Sequence, residues 1–238
     1  MLRELESLVE MFVKESLTWI FVGLFFLVLF PISIIFAFSH IVARGYIDYL
    51  ISGTITYQVA LAGMLMVPNS LGMDREGGRI SLILASGVPP WAYAIASSFV
   101  NNLFAIASSL LIAGVGSALG FLKVTPLSLG LLVLSLIVST FQGSMIGLAL
   151  ASYVRNWRLL QQVTQIAAFG LTFFAPVYFP LSIVPGYLRP LALAEPTTYV
   201  AQAVRLSLAG SATSLAWDAA TFAYGLAFAF IALSLLHI

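Results

Sequence analysis

The stretch MDREGGRISLILASGVPPW, Met73 to Trp91, separates two long apolar segments, and its reading sets the fold of the whole chain. Asp74, Arg75, Glu76 and Arg79 place four charges within six residues, although only 8% of the chain is charged. Gly77-Gly78 suits a turn into a short helix, and Gly87 followed by Pro89-Pro90 ends it. Between them Ile80, Ile83 and Leu84 fall on one helical face, with Arg79 and Ser81 off it. The pattern predicts a short helix at a membrane surface, turning charge to water and apolar groups to a bundle.

The rest of the chain is that bundle. Of 238 residues, 61% are hydrophobic, and the mean hydropathy is +1.06. A soluble domain is nearer half apolar and a quarter charged. This chain has too little polar surface to coat a water-soluble fold, so it reads as an all-α integral membrane protein. The net charge of +1 excludes a nucleic-acid footprint, which needs a clustered basic face. Cysteine is absent, and the two histidines, His40 and His237, sit far apart, so no metal site is expected.

Crossing a bilayer takes about 20 apolar residues. Six segments qualify, at about 17–38, 49–69, 91–121, 126–153, 159–179 and 215–236. The third is longer than a span needs, and Gly114, Gly116 and Gly120 mark a bend or early stop near its end. Residues 1–16 place Leu2, Leu5, Leu8, Val9, Phe12 and Val13 at helical spacing, which predicts an amphipathic helix lying in the interface. The start of the chain does not read as a cleavable signal, so the first span is expected to stay as an anchor. An even span count puts both termini on one side. Counting Lys and Arg gives six inside against four outside for an inside N-terminus, a slim preference.

Segment 180–210 carries Pro180, Pro185, Pro190 and Pro196, which forbid one continuous helix, yet it is too apolar for a solvated loop. Short re-entrant helices before the last span fit this pattern. Glu195 is its one acid, expected to accept backbone amides near a helix start, to pair with Arg205 or Arg189, or to meet substrate. In the fourth and fifth spans Gln142, Gln161, Gln162 and Gln165 either glue helices together or line a substrate path. Gly143, Ser144 and Gly147 permit close helix approach. Asp48 and Asp218 are expected as interfacial anchors, so the spans are nearly free of ionisable groups. That pattern argues against an ion- or proton-coupled carrier, although neither that class nor a non-transporting structural protein is eliminated. No G-x-x-x-x-G-K-[ST], H-E-x-x-H or G-x-S-x-G motif occurs, so no catalytic residue is expected.

Two stretches carry a family resemblance. DREGGRISLILASGV resembles the loop between the second and third spans of type-2 ATP-binding-cassette (ABC) exporter permeases. Asp74, Arg75, Glu76, Gly78, Ile83 and Leu84 agree with that pattern, and Arg79, Ser81 and Gly87 depart from it. FPLSIVPGYLRPLALAEPTTYVAQAVR is similar to the family's segment before the last span, with Pro180, Leu181, Pro185, Leu188, Pro196, Thr198, Tyr199 and Arg205 in register. The resemblance implies a single permease domain over 1–238 and a plasma-membrane location with both termini cytoplasmic. It further implies a homodimer or heterodimer with a second permease, and a separate ATP-binding subunit that holds ATP and Mg. The loop 73–90 would hold a coupling helix, with Asp74, Arg75, Glu76, Arg79, Arg155 and Arg158 as contacts to the ATPase. Pro180, Pro185, Glu195, Pro196, Tyr199 and Arg205 would form an extracytoplasmic gate. The cargo expected of such an apolar path is hydrophobic or amphipathic, drug-, lipid- or glycan-lipid-like.

Overall fold

The computed structural model describes residues 2–18, 20–39, 41 and 46–236. His40, Arg44 and His237, used in the metal and charge arguments, lie outside the described residues. Every regular element among the described residues is helical. In chain order these are α1 (Leu2–Thr18), α2 (Ile20–Leu24), α3 (Phe30–Ser39), α4 (Ile47–Leu61), α5 (Val67–Glu76), α6 (Arg79–Ala85) and α7 (Pro90–Ala118). Then come α8 (Pro126–Tyr153), α9 (Trp157–Phe174), α10 (Arg189–Ala194), α11 (Pro196–Leu208) and α12 (Ser214–Leu236). Wider π turns join α2 to α3 at Phe25–Leu29 and α4 to α5 at Ala62–Met66, and a 3-10 turn covers Leu181–Ile183.

Among the described residues, four stretches are long and apolar enough to cross a membrane: Ile47–Glu76, Trp91–Ala118, Pro126–Tyr153 and Ser214–Ala232. They fall on the second, third, fourth and sixth of the expected spans. The expected first span falls on α2 and α3, whose apolar helix Phe30–Ser39 is shorter, and the fifth on the 18-residue α9.

Helix ends follow local chemistry. Pro126 opens α8, while Thr125 and Ser128 exchange a reciprocal capping box, with Ser128 N donating to Thr125 Oγ1 at 3.1 Å and Thr125 N to Ser128 Oγ at 2.8 Å. Asn156 caps α9 by accepting from Leu159 N at 3.0 Å. α7 stops at Ala118 because Gly120, at φ 75°, reverses the chain, whereas Gly114 and Gly116 remain helical. The second expected span does not end near Asn69. Helix continues through Pro68, a first-turn position of α5, to Glu76, so the acidic-basic-acidic triplet rides on the helix end and not in a loop.

One apolar core joins α4, α7, α8 and α11 through Ile51, Ile55, Val59, Ile112, Leu132, Leu136, Val200 and Val204. The helix formed by α4 and α5 crosses α8 backbone to backbone. A Cβ at Gly63 would lie 2.7 Å from Ser144 N, and one at Gly147 would lie 3.0 Å from Gly63 O. The small residues at 143 and 147 therefore sit where close approach was expected of them. A second core at one end of the bundle seats α1: Leu8 and Phe12 pack with Leu71, Ala92, Tyr93, Ala96, Ala151 and Leu160.

Candidate functional site

The seated end of the bundle carries the charged stretch. Gly77 ends α5, and Gly78, at φ 71°, turns the chain into α6, a conformation that favours glycine. Asp74 is buried, 6% exposed, and accepts the Tyr93 hydroxyl. Arg79 Nη2 lies 2.9 Å from Asp74 Oδ2 and 2.6 Å from Glu15 Oε2, at the end of α1. Burial works against the Arg79 cation, yet its hydrogen bond to Glu15 and the nearby carboxylates hold its pKa above the ordinary value. Arg75 Nη1 donates to Ala151 O at 2.7 Å, tying this corner to the end of α8. Of the four charges singled out in the loop, Glu76 alone is exposed.

α6 presents a different surface from the one its periodicity predicted. Ile80 and Ile83 pack against the α1 core as expected, but Leu84 is 39% exposed and Leu82 is 74% exposed. Ser81, Ala85 and Ser86 are exposed as well. Beside the end of α5, the turn after α8 leaves Arg155 and Arg158 exposed. That turn fits closely on α5, where a Cβ at Gly72 would lie 2.5 Å from Trp157 Cδ1.

At the far end, Glu195 caps α11. Its Oε1 accepts Thr197 N at 3.0 Å and its Oε2 accepts Thr198 N at 2.8 Å. Glu195 thus accepts backbone amides at a helix start, and neither arginine pairs with it among the described contacts. Burial pushes its carboxyl up to about 7, against the pull of those donors. Thr198 Oγ1 donates to Ala192 O at 2.5 Å and Tyr199 OH to Leu193 O at 2.8 Å, folding α10 onto α11. Arg205 lies over the Tyr49 ring at 4.2 Å and donates to Val177 O at 3.0 Å. Pro180 precedes the 3-10 turn, the Pro185 carbonyl accepts Leu188 N at 2.9 Å, and Pro196 starts α11.

The four glutamines part company. Gln142 is buried and reaches Pro196 O at 3.4 Å, bridging α8 to α11. On α9 the buried face is Leu160, Thr164, Ala168 and Thr172, which leaves Gln161 half-buried and Gln162 and Gln165 exposed. Asp48 is exposed, as an anchor is, but Asp218 is 4% exposed. Asp218 accepts the Ser135 hydroxyl at 3.0 Å between α12 and α8, and its other oxygen has no hydrogen-bond partner among the described residues. Glu15, Tyr93 and Ser135 were missed by sequence reasoning. Each sits in a pattern explained by another role, and only the tertiary contact reveals it.

A helical bundle with four helices fit to cross a bilayer among the described residues, capped at one end by a seated amphipathic helix, defines a multi-pass membrane protein. Residues 6–209 match the family model for the ABC-2 type transporter, and the chain belongs to that family. It is thus the membrane-embedded transport component of an ABC transporter. No curated protein matches the chain.

Proposed function

We propose that this chain is the permease half of an exporter, working as a dimer on two separate ATP-binding subunits. Six spans are read, with α2–α3 and α9 as the first and fifth, and with both termini cytoplasmic in the plasma membrane. Nucleotide-driven closure of the partner moves α6, the spans rearrange by alternating access, and a hydrophobic or amphipathic cargo leaves past α10 and α11. The observation that carries this is the exposure of Leu82 at 74% on a helix at the end of the bundle that also carries Glu76, Arg155 and Arg158. An apolar anchor rimmed by charge is the form of a protein-docking surface. Exposed amides Gln162 and Gln165, on an α9 face with Ile166 and Phe173, support a second permease copy beside it. The test is co-expression with candidate cassette ATPases. Co-purification and ATP hydrolysis stimulated by the permease are expected, and failure of both across all candidates rejects the reading.

A second reading, an ion- or proton-coupled carrier, draws on Asp218, a buried carboxylate within a helix apolar enough to cross the membrane. Transport that survives loss of ATP but collapses with an ionophore would select it.

A further inference from the structure

Glu15, Asp74, Arg79 and Tyr93 converge from four elements: the end of α1, the end of α5, the start of α6 and the start of α7. One guanidinium nitrogen, Arg79 Nη2, meets both carboxylates, at 2.6 Å and 2.9 Å, while the Tyr93 hydroxyl donates to the Asp74 oxygen that faces it. Phe12 closes the apolar side, with Arg79 5.8 Å above its ring and the Tyr93 ring edge-on at 5.3 Å. Asp74 is 6% exposed and committed on its Arg79 face, so it offers an outside protein almost nothing to bind.

We infer that this cluster is a clamp joining α1 to the α5–α6 corner, so that α1 and the loop helix move as one body when the ATPase engages. Asp74 and Arg79 are then positioning residues and not contacts to the partner. The inference rests on the proposed ATPase docking at α6. The mechanical need is clear from the chain. α6 has seven residues, no side-chain cap at its start, and a Gly-Gly pair behind it. A helix this short does not hold itself together, and a push on it would be lost as swing about Gly77–Gly78. Arg79, its first residue, passes the push to the 17-residue α1 through Glu15 and, through Asp74, to Tyr93 at the start of α7.

The chain has no cysteine, so one Leu8→Cys reporter, at a position 5% exposed in the α1 seat, reads α1 undocking through maleimide labelling. The ion pair is partly exposed, and Arg79→Gln is expected to raise the labelling rate by up to about fivefold. Glu15→Gln should do less, because it leaves the Arg79–Asp74 pair, and Arg79→Lys should retain most of the protection. In the same complexes, reconstituted in vesicles, a fluorescent short-chain phospholipid moved per ATP hydrolysed should fall with Arg79→Gln while the amount of co-purified ATPase holds. Unchanged labelling disproves the clamp. Raised labelling with unchanged stoichiometry disproves the positioning role. A proportional loss of co-purified ATPase makes Arg79 a direct contact instead. If the wild-type chain recruits no ATPase, the proposed function fails and the positioning role with it, and the labelling then marks the clamp as structural.

Discussion

Gly63→Ala sets two opposed effects of known size against each other. Alanine in a helix interior is better than glycine by about 1 kcal/mol. At Gly63, however, the new Cβ would stand 2.7 Å from Ser144 N and 2.8 Å from the carbonyl carbon and Cα of Gly143. All three are backbone atoms of a packed helix, and no flexible side chain can swing aside. Relief requires α4–α5 to move away from α8, and overpacking of this kind costs about 1–3 kcal/mol. Strain should offset the propensity gain and exceed it by up to about 2 kcal/mol, which for a chain of this size lowers the unfolding temperature by up to about 8 °C. Gly114→Ala is the matched control, because a Cβ there meets nothing within 4 Å. It keeps the propensity gain and should raise the transition by about 2–4 °C. Scanning fluorimetry on the native tryptophans in one detergent, at one heating rate, gives apparent transitions that can be ranked even if unfolding is irreversible. If Gly63→Ala is as stable as Gly114→Ala, the backbone crossing is not where the structure puts it.

Glu195 should make stability depend on pH. Its carboxyl rises from about 4.5 to about 7 on folding, so the folded chain binds a proton that the unfolded chain lacks between those values. That contribution is full below about pH 4.5 and is lost as pH rises through about 7, a change of about 3 kcal/mol, most of which falls between pH 5 and 8, where Glu195→Gln should flatten the melting curves. Arg205→Lys removes the fork that reaches Val177 O and the stacking on Tyr49, and about 1–2 kcal/mol with it, seen as a lower melting temperature with unchanged ATPase co-purification. Asp218→Asn keeps an oxygen for Ser135 and removes a buried charge whose other oxygen has no partner among the described residues, so the melting temperature should hold or rise. A fall of several degrees would show that the charge itself has a hidden partner.

The elements legible in the sequence are those fixed by local rules. Pro89-Pro90 and Gly87 separate α6 from α7 where punctuation predicted, and the prolines from 180 to 196 break their segment into a 3-10 turn and two short helices. Glu195 sits three residues before Thr198, the spacing of a helix cap, and a cap is what it forms. Orientation was less legible. Gln161 and Gln165 share a face by periodicity, but which face of α9 turns inward depends on α5 and α8. That packing selects Leu160, Thr164, Ala168 and Thr172. Asp218 stands beside Trp217 near a helix start, a local picture that suits an interfacial anchor. Only the parallel course of α12 along α8 brings Ser135 to it and takes it out of solvent.

The loop charges teach the same lesson with functional weight. Composition says that a nearly uncharged chain keeps four charges together for a reason, and an outside partner is the simplest reason. Yet a carboxylate beside an arginine on a surface gains little, whereas one shielded against an apolar seat is worth holding. Phe12, Tyr93 and Ala92 supply that seat from segments sixty or so residues to one side and about fifteen to twenty to the other. Asp74, Arg75 and Arg79 therefore fasten one helix to its neighbours, while Leu82, Glu76, Arg155 and Arg158 stay exposed. A partner that reads this end of the bundle meets an apolar tip on a braced mount, so a single leucine should outweigh the buried charges in binding. Leu82→Ala is expected to reduce ATPase co-purification more than Glu15→Gln does, and the reverse order would return the charges to the interface.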